Sequence, residues 1–376
     1  MKRSLPLALA TALAAVVALP VAAATKPALG KTCATAAQTS GSLICTQSGA
    51  KKTWQTATAN TLAPVTAAPT TAAPAATTAP PVAAPANEKL PTKLVFAPVP
   101  AENALATAAN WAPWVKAVSD AVGIPVEQVA STDYAGVTEG VLAGKVDIAS
   151  YGPLSYYIAT QAGAKIRGVA ISSGSFGAPA TYQSYLFTKA GRSDINTIND
   201  VRGKKVCFGD PESTSGTLFP YLMLADAGID SQKDITNVVA GAHDKSILGV
   251  ANGSCDAGFA FDSITETPSG AASGVKGSDL KIIAKSKPIP NSPIAVRSDL
   301  PASVFKKLAT AIPQIDALYL QAKGYCPTAA PKCGPGVLTG IANQSWVAQT
   351  NDDWLAPIAA ACKLPGAPSS CRPAKK

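Results

Sequence analysis

From Lys93 onward, short apolar runs alternate with amphipathic segments of helical spacing, and this alternation confines the chain to α/β architecture. Strand-like runs fall at 94–97, 147–149, 169–171, 185–187, 205–208, 238–240, 258–261, 282–284 and 294–296. Helical spacing predicts helices over 103–122, 155–162, 217–227, 244–252 and 302–323. Leu105, Ala108, Trp111, Val115 and Val118 set the stripe of the first helix, which Pro113 should kink or split. The order predicts mostly parallel sheets. The length of the pattern is more than one lobe needs, so two lobes are expected.

What precedes residue 92 is of another kind. Lys2 and Arg3, the apolar run from Leu5 to Leu19 and Ala22-Ala23-Ala24 read as a secretory signal over 1–24. The run is shorter than the ~20 residues a spanning helix needs, and no cysteine follows it as in a lipoprotein. Residues 25–57, with Gly41, Lys51-Lys52 and Trp54, suggest a small disulfide-closed hairpin module. Residues 58–91 are mostly Ala, Pro and Thr, which cannot bury a core and predict an extended, semi-rigid linker. The substrate-binding unit is therefore 92–376, with one lobe from about 92–184 and 286–376 and the second from about 185–285.

Eight cysteines fit an exported protein in an oxidising compartment. Cys33 with Cys45, Cys326 with Cys333 and Cys362 with Cys371 would close short loops, leaving Cys207 and Cys255 for each other. With a single histidine and no CxxC, neither a zinc site nor another metal or cofactor is expected. The net charge of +9 comes from scattered Lys and Arg, so it mildly favours anions without a nucleic-acid-binding stripe.

The sharpest local signal is Phe208-Gly209-Asp210-Pro211-Glu212-Ser213-Thr214-Ser215-Gly216, a strand end running into a helix. Three consecutive hydroxyls and a glycine at a helix start can cradle an oxyanion, where unpaired N–H groups and the helix dipole add to the hydroxyls. An ordinary helix cap needs one hydroxyl, and this stretch alone supports both readings. His243, in Ala240-Gly241-Ala242-His243-Asp244, again follows a strand at a helix start, where α/β proteins bind ligands. Tyr134 and Tyr151 occupy two more such junctions, where an aromatic ring either packs or faces a ligand. There is no GxSxG, GxxxxGK[ST] or HExxH, and no base is evident beside the serines, so no enzymatic activity is expected.

These stretches resemble the phosphonate/phosphite-binding family of ABC-transporter periplasmic components. The likeness covers roughly 93–325 and is carried by Thr132-Asp133-Tyr134-Ala135-Gly136-Val137, Val146-Asp147-Ile148-Ala149, Tyr151-Gly152-Pro153-Leu154-Ser155, the 209–216 stretch, Gly241-Ala242-His243-Asp244 and Ile289-Pro290-Asn291-Ser292-Pro293. The segment 195–205 looks like the entry to the second lobe in such proteins. The resemblance implies a two-lobed, hinge-closing periplasmic-binding-protein fold of the type II kind, gripping an oxyanion between the lobes. It gives Ser213, Thr214 and Ser215 the phosphonyl oxygens, adds Tyr134 and Tyr182 from the first lobe and His243 from the second, and places Asp262 near an acidic cleft residue. The aminoalkylphosphonate-binding branch has an acidic residue where this chain has Ser292. An ammonium group would enter the cleft there without a counter-charge.

The chain is thus expected to be a monomeric, extracytoplasmic solute receptor of an ABC importer, periplasmic or on the outer face of the membrane or wall. It would carry a small phosphorus oxyanion such as phosphite or an alkylphosphonate to a membrane permease. Two rivals stand beside this reading. One is a phosphoester hydrolase using His243 and a serine; the other is an envelope sensor or adhesion protein, suggested by the hairpin and linker.

Overall fold

The structure is a computed structural model that describes residues 39–40, 43–48, 51–56, 88–173, 179–266, 273–325 and 345–372. The expected signal, nearly all of the linker, and the pairings Cys33 with Cys45 and Cys326 with Cys333 rest on residues outside these. In the N-terminal unit, β1 (Thr39–Ser40), β2 (Leu43–Ser48) and β3 (Lys51–Thr56) form an antiparallel sheet of order β1-β2-β3. The antiparallel β2–β3 pair sets Cys45 opposite Trp54.

The larger unit begins with β4 (Leu94–Pro98), α1 (Ala104–Val122), β5 (Val126–Gln128), α2 (Tyr134–Leu142), β6 (Ile148–Ser150), α3 (Pro153–Gln161) and β7 (Ile166–Ser173). The chain then passes through β8 (Thr181–Tyr182) into β9 (Ser184–Lys189), β10 (Lys205–Phe208), a π-helical turn at Thr214–Leu218 that continues as α4 (Phe219–Asp226), β11 (Thr236–Val239), α5 (His243–Asn252), β12 (Ala257–Phe261) and β13 (Leu280–Lys285). It returns through β14 (Ile289–Pro290) to β15 (Pro293–Arg297), α6 (Ala302–Ala311), α7 (Ala317–Ala322), β16 (Ser345–Ala348) and α8 (Ala356–Ala361).

Two sheets result, one per lobe. The first has order β16-β7-β15-β6-β4-β5 and the second β11-β10-β12-β9-β13. Both are mixed where the sequence predicted mostly parallel pairing. β4 pairs parallel with β5 and β6, and β10 with β11 and β12. The strands that adjoin the crossings between lobes, β9 and β15, enter their sheets reversed and pair antiparallel. A chain that leaves one sheet and comes back must reverse direction in each. The crossings themselves zip together as a two-stranded ribbon, with Ile289 opposite Tyr182 and Pro290 opposite Thr181.

α1 runs through Pro113 without a break. Its core face explains why: Trp111 and Trp114 pack on Phe96 of β4 with ring centroids 5.0 and 5.1 Å apart, and Trp114 is fully buried. Burying one such side chain contributes on the order of 3 kcal/mol, comparable to the cost of proline in a helix. The predicted 302–323 helix is interrupted instead. α6 gives way to a 3₁₀ turn at Ile312–Gln314 that contains Pro313, and α7 begins anew with Asp316 capping Tyr319 N–H. In the second lobe Phe208 and Phe259 stack inside the sheet-helix core, and the expected Cys207–Cys255 disulfide ties β10 to the start of β12. Cys362–Cys371 closes the loop after α8, also as expected.

Candidate functional site

The site lies where strand ends of both lobes meet. Asp133 caps α2, accepting from Gly136 N–H at 2.8 Å, and thereby starts a helix at Tyr134. Ser213 does the same for the Thr214–Leu218 turn, its Oγ accepting from Gly216 N–H at 3.0 Å. The turn is wound tightly against the preceding strand, with Gly209 N–H donating to Gly216 O at 2.9 Å. A Cβ at Gly216 would come within 2.9 Å of Gly209 Cα and Ser213 Oγ and 3.0 Å of His243 Cε1, so only glycine fits.

Contacts between the lobes surround this turn. Leu154 N–H, in the first turn of α3, donates to Thr214 Oγ1 at 2.8 Å. His243 N–H donates to Ala101 O at 3.0 Å, and Tyr134 N–H to Asp210 Oδ2 at 3.3 Å. Leu218 and Leu222 pack into the apolar cluster of Leu154 and Tyr156. The lobes are therefore closed on each other.

Between them is a cavity of about 410 Å³. Tyr134, Tyr151, Tyr182, Ser213, Thr214, Ser215, His243 and Asp262 all line it, so the eight residues singled out in the sequence converge on one space. Ser213, Thr214, Ser215 and His243 are buried. The Tyr134 hydroxyl hydrogen-bonds to the Ser213 side chain, and that of Tyr182 to Ser215 and Thr214. Burial, with the nearby Asp210 carboxyl next, holds Tyr134 far above the usual phenol range; burial also pushes Tyr182 up to about 12. Both phenols stay protonated. Tyr151 is fully buried, and its hydroxyl has Thr138 and Glu212 as polar neighbours.

His243 Nε2 lies 3.2 Å from Ser213 Oγ, a contact whose direction depends on the ring tautomer. Phe261 packs edge-on to the ring at a centroid distance of 5.0 Å, and burial lowers His243 to about 4. The ring is neutral at physiological pH. The sequence offered His243 and a serine only as a rival pairing, because the two are 30 residues apart and the fold alone joins them.

The cavity also has a side that the motifs announced only through Asn291 and Ser292, which line it; Asn110 and Trp111 of α1, Ser172 at the end of β7 and Trp346 of β16 line it as well. Ser172 pairs with Trp346 in the sheet and its N–H donates to Ser292 O at 3.0 Å. Trp111 carried a helical-core signal in the sequence, which it also satisfies, so a lining role was not separable there. Glu102, just beyond β4, lines the cavity too, at the carboxyl end of a strand where such residues are to be sought.

The family model described as ABC transporter, phosphonate, periplasmic substrate-binding protein matches residues 96–354, the span that holds every element of this cavity. The chain belongs to that family. This phosphonate-family receptor is 39% identical over 248 residues to the Phosphate-import protein PhnD of Mycolicibacterium smegmatis, covering 64% of the present chain and 77% of that protein. It is 32% identical over 206 residues to the Phosphonates-binding periplasmic protein of Escherichia coli, covering 53% and 59%. Among solved structures, a binding protein component of an ABC phosphonate transporter from Pseudomonas aeruginosa matches with a TM-score of 0.61 at 25% identity over 72% of this chain and 85% of that one. PhnD1 of Prochlorococcus marinus, solved with methylphosphonate, shares the fold at a TM-score of 0.61 and 17% identity, over 72% and 97%. The phosphonate-family receptor is thus the two-lobed solute-binding component of an ABC importer, a class of transport proteins and not of enzymes. Membership implies export and a membrane permease as partner. Among the described residues no helix is long and apolar enough to cross a membrane.

Proposed function

We propose that the cavity holds a small phosphorus oxyanion through Ser213, Thr214, Ser215, Tyr134, Tyr182 and His243. The observation that carries this is the state of the hydroxyls. Ser213 Oγ already accepts from Gly216 N–H and Thr214 Oγ1 from Leu154 N–H. Each hydroxyl has one proton and two lone pairs; a backbone N–H takes one lone pair of each, and each keeps a proton it can turn toward a ligand oxygen. The cradle therefore presents donors at a helix start, the arrangement an oxyanion requires. The relatives named for phosphate import and phosphonate binding point to the same ligand class. The receptor works outside the cytoplasmic membrane, closes on its ligand by hinge motion and hands it to the permease.

The Ser213–His243 contact favours a second reading, a serine hydrolase, since nucleophile and base would be within reach. The surroundings favour binding. His243 Nδ1 is buried without a hydrogen-bond partner, so no carboxylate orients the ring, and a base lowered to about 4 takes a serine proton poorly.

Calorimetric titration with phosphite, methylphosphonate, phosphate and sulfate tests the reading. One phosphorus oxyanion should bind at micromolar affinity or tighter and be lost in Ser213→Ala. Turnover of a phosphoester without tight binding of any of these would establish the hydrolase instead.

A further inference from the structure

Beyond α8 the Cys362–Cys371 bridge makes residues 363–370 a closed loop. Both ends of that loop are rooted in the first lobe. α8 packs against α3 and against β14 of the ribbon between the lobes, and the turn Ser369–Cys371 lies on α3 as well. Cys371 is buried, with Ile358 and Ala361 of α8, in the apolar cluster of Leu154 and Tyr156.

The middle of the loop rests on the second lobe. Gly366, in the left-handed region at φ +84°, sits so close to α4 that a Cβ there would come within 2.5 Å of Ala225 Cβ. Ser370 Oγ donates to Pro211 O at 2.8 Å. Pro211 stands in the stretch that leads into Ser213, Thr214 and Ser215, and α4 continues the cradle turn. The loop thus crosses from one lobe to the other and meets the second lobe on the two elements that carry the cradle. Its contacts add to the lobe-crossing hydrogen bonds from the N–H groups of Tyr134, Leu154 and His243.

The covalent closure suits that reach. An open tail must give up its freedom each time it makes such contacts, whereas a bridged loop has lost most of it beforehand. Pro365 and Pro368 fix two further φ angles within it. A bridge that served only to hold the chain end on the first lobe would not need a positive-φ glycine seated on a helix of the other lobe.

We infer that the disulfide-closed loop 362–371 is a clasp between the lobes: it meets α4 and Pro211 when the cleft is shut, parts from them when it opens, and so sets how often the cleft opens and how long its ligand stays. The inference concerns the lobes and does not depend on which ligand the cavity holds. A contact made only in the closed state shifts the opening equilibrium by its own worth, which for one partly exposed hydrogen bond is a factor of about 2 to 5.

Amide hydrogen exchange of the full chain tests the clasp. The N–H groups of Tyr134, Leu154 and His243 report opening of the cleft, and those within β4 and β10, inside the two sheets, report global unfolding. In Ser370→Ala the three lobe-crossing amides should exchange about 2- to 5-fold faster, with the amides of β4 and β10 unchanged. Cys362→Ser/Cys371→Ser frees the loop and keeps the atoms that touch the second lobe, and it should speed the same three amides. Adding Ser370→Ala to that double variant should have less effect than Ser370→Ala has alone, because both changes undo one contact. Methylphosphonate dissociation, followed by tryptophan fluorescence to which Trp111 and Trp346 at the cavity wall contribute, should quicken by the same factor in Ser370→Ala while association is unchanged. Lobe-crossing amides that keep their rates in Ser370→Ala, or that speed up no more than those of β4 and β10, overturn the clasp and leave the bridge as a staple of the first lobe. If the unaltered protein binds neither methylphosphonate nor phosphate, the phosphorus reading falls, and the exchange rates alone decide the clasp.

Discussion

Thr214 Oγ1 accepts a 2.8 Å hydrogen bond from Leu154 N–H, so a cradle hydroxyl of one lobe is oriented by the first turn of a helix in the other. Closure of the lobes and aim of the donor are one event. Thr214→Val keeps the shape and removes the acceptor, leaving a buried N–H unpaired at a cost of about 1–3 kcal/mol. The expected outcome is a lower melting temperature and ligand affinity reduced about 10- to 100-fold. Thr214→Ser should restore most of both, as measured by calorimetry beside thermal melts.

Gly216→Ala tests the tightness of the same turn. A methyl group 2.9 Å from Gly209 Cα and Ser213 Oγ has no room, and the backbone on both sides must shift. Binding should be lost while the far-UV circular dichroism of the two lobes is kept; wild-type affinity in this variant would show that the turn yields.

His243 makes stability depend on pH. Burial lowers it from its ordinary 6.5 to about 4, so as pH falls the unfolded chain takes up the proton first. Native stability should be complete above about pH 6.5 and decline toward about pH 4, by roughly 3 kcal/mol. Urea unfolding of His243→Gln should show a flatter profile over that window.

Glu212 acts in the opposite sense. Its carboxyl is raised to about 7, chiefly by burial, so the folded protein keeps a proton that the unfolded chain releases. The stability it lends is present at about pH 4.5 and lost as pH rises through about 7. Glu212→Gln should melt like the parent near pH 4.5 and above it near pH 8. Equal melting at both values would place Glu212 in solvent.

Removing the Cys207–Cys255 bridge opens a loop of 48 residues inside the second lobe. Chain entropy assigns such a closure about 4 kcal/mol. A Cys207→Ser/Cys255→Ser double variant should therefore unfold at clearly lower urea concentration.

Strands buried on both faces were the most legible part of the fold. Lys205–Phe208 is predicted and found with the same bounds, since a short strand with three buried apolar residues in a row between turn residues has few other uses. β5 and β16 were not legible: Val126-Glu127-Gln128 is mostly polar, and Ser345–Ala348 earns its place only by pairing with β7. Pro113 and Pro313 show the limit of local rules. The first is overruled by two tryptophans packed on Phe96, and the second, without such an anchor, ends the helix. The site residues were found through motifs at strand ends. What no motif could disclose was their pairing, since Thr214 with Leu154 spans 60 positions and Ser213 with His243 spans 30.

The two-stranded ribbon of Thr181–Tyr182 and Ile289–Pro290 joins the two lobes, so the hinge motion proposed for the receptor would turn about it. A point on an axle sweeps almost no arc, so Tyr182 keeps its station whether the jaws are apart or shut. On the proposed reading, the ring of Tyr182 is a floor of the cleft that the motion leaves in place. Capture and release differ only in what the far rims of the lobes do around that fixed post.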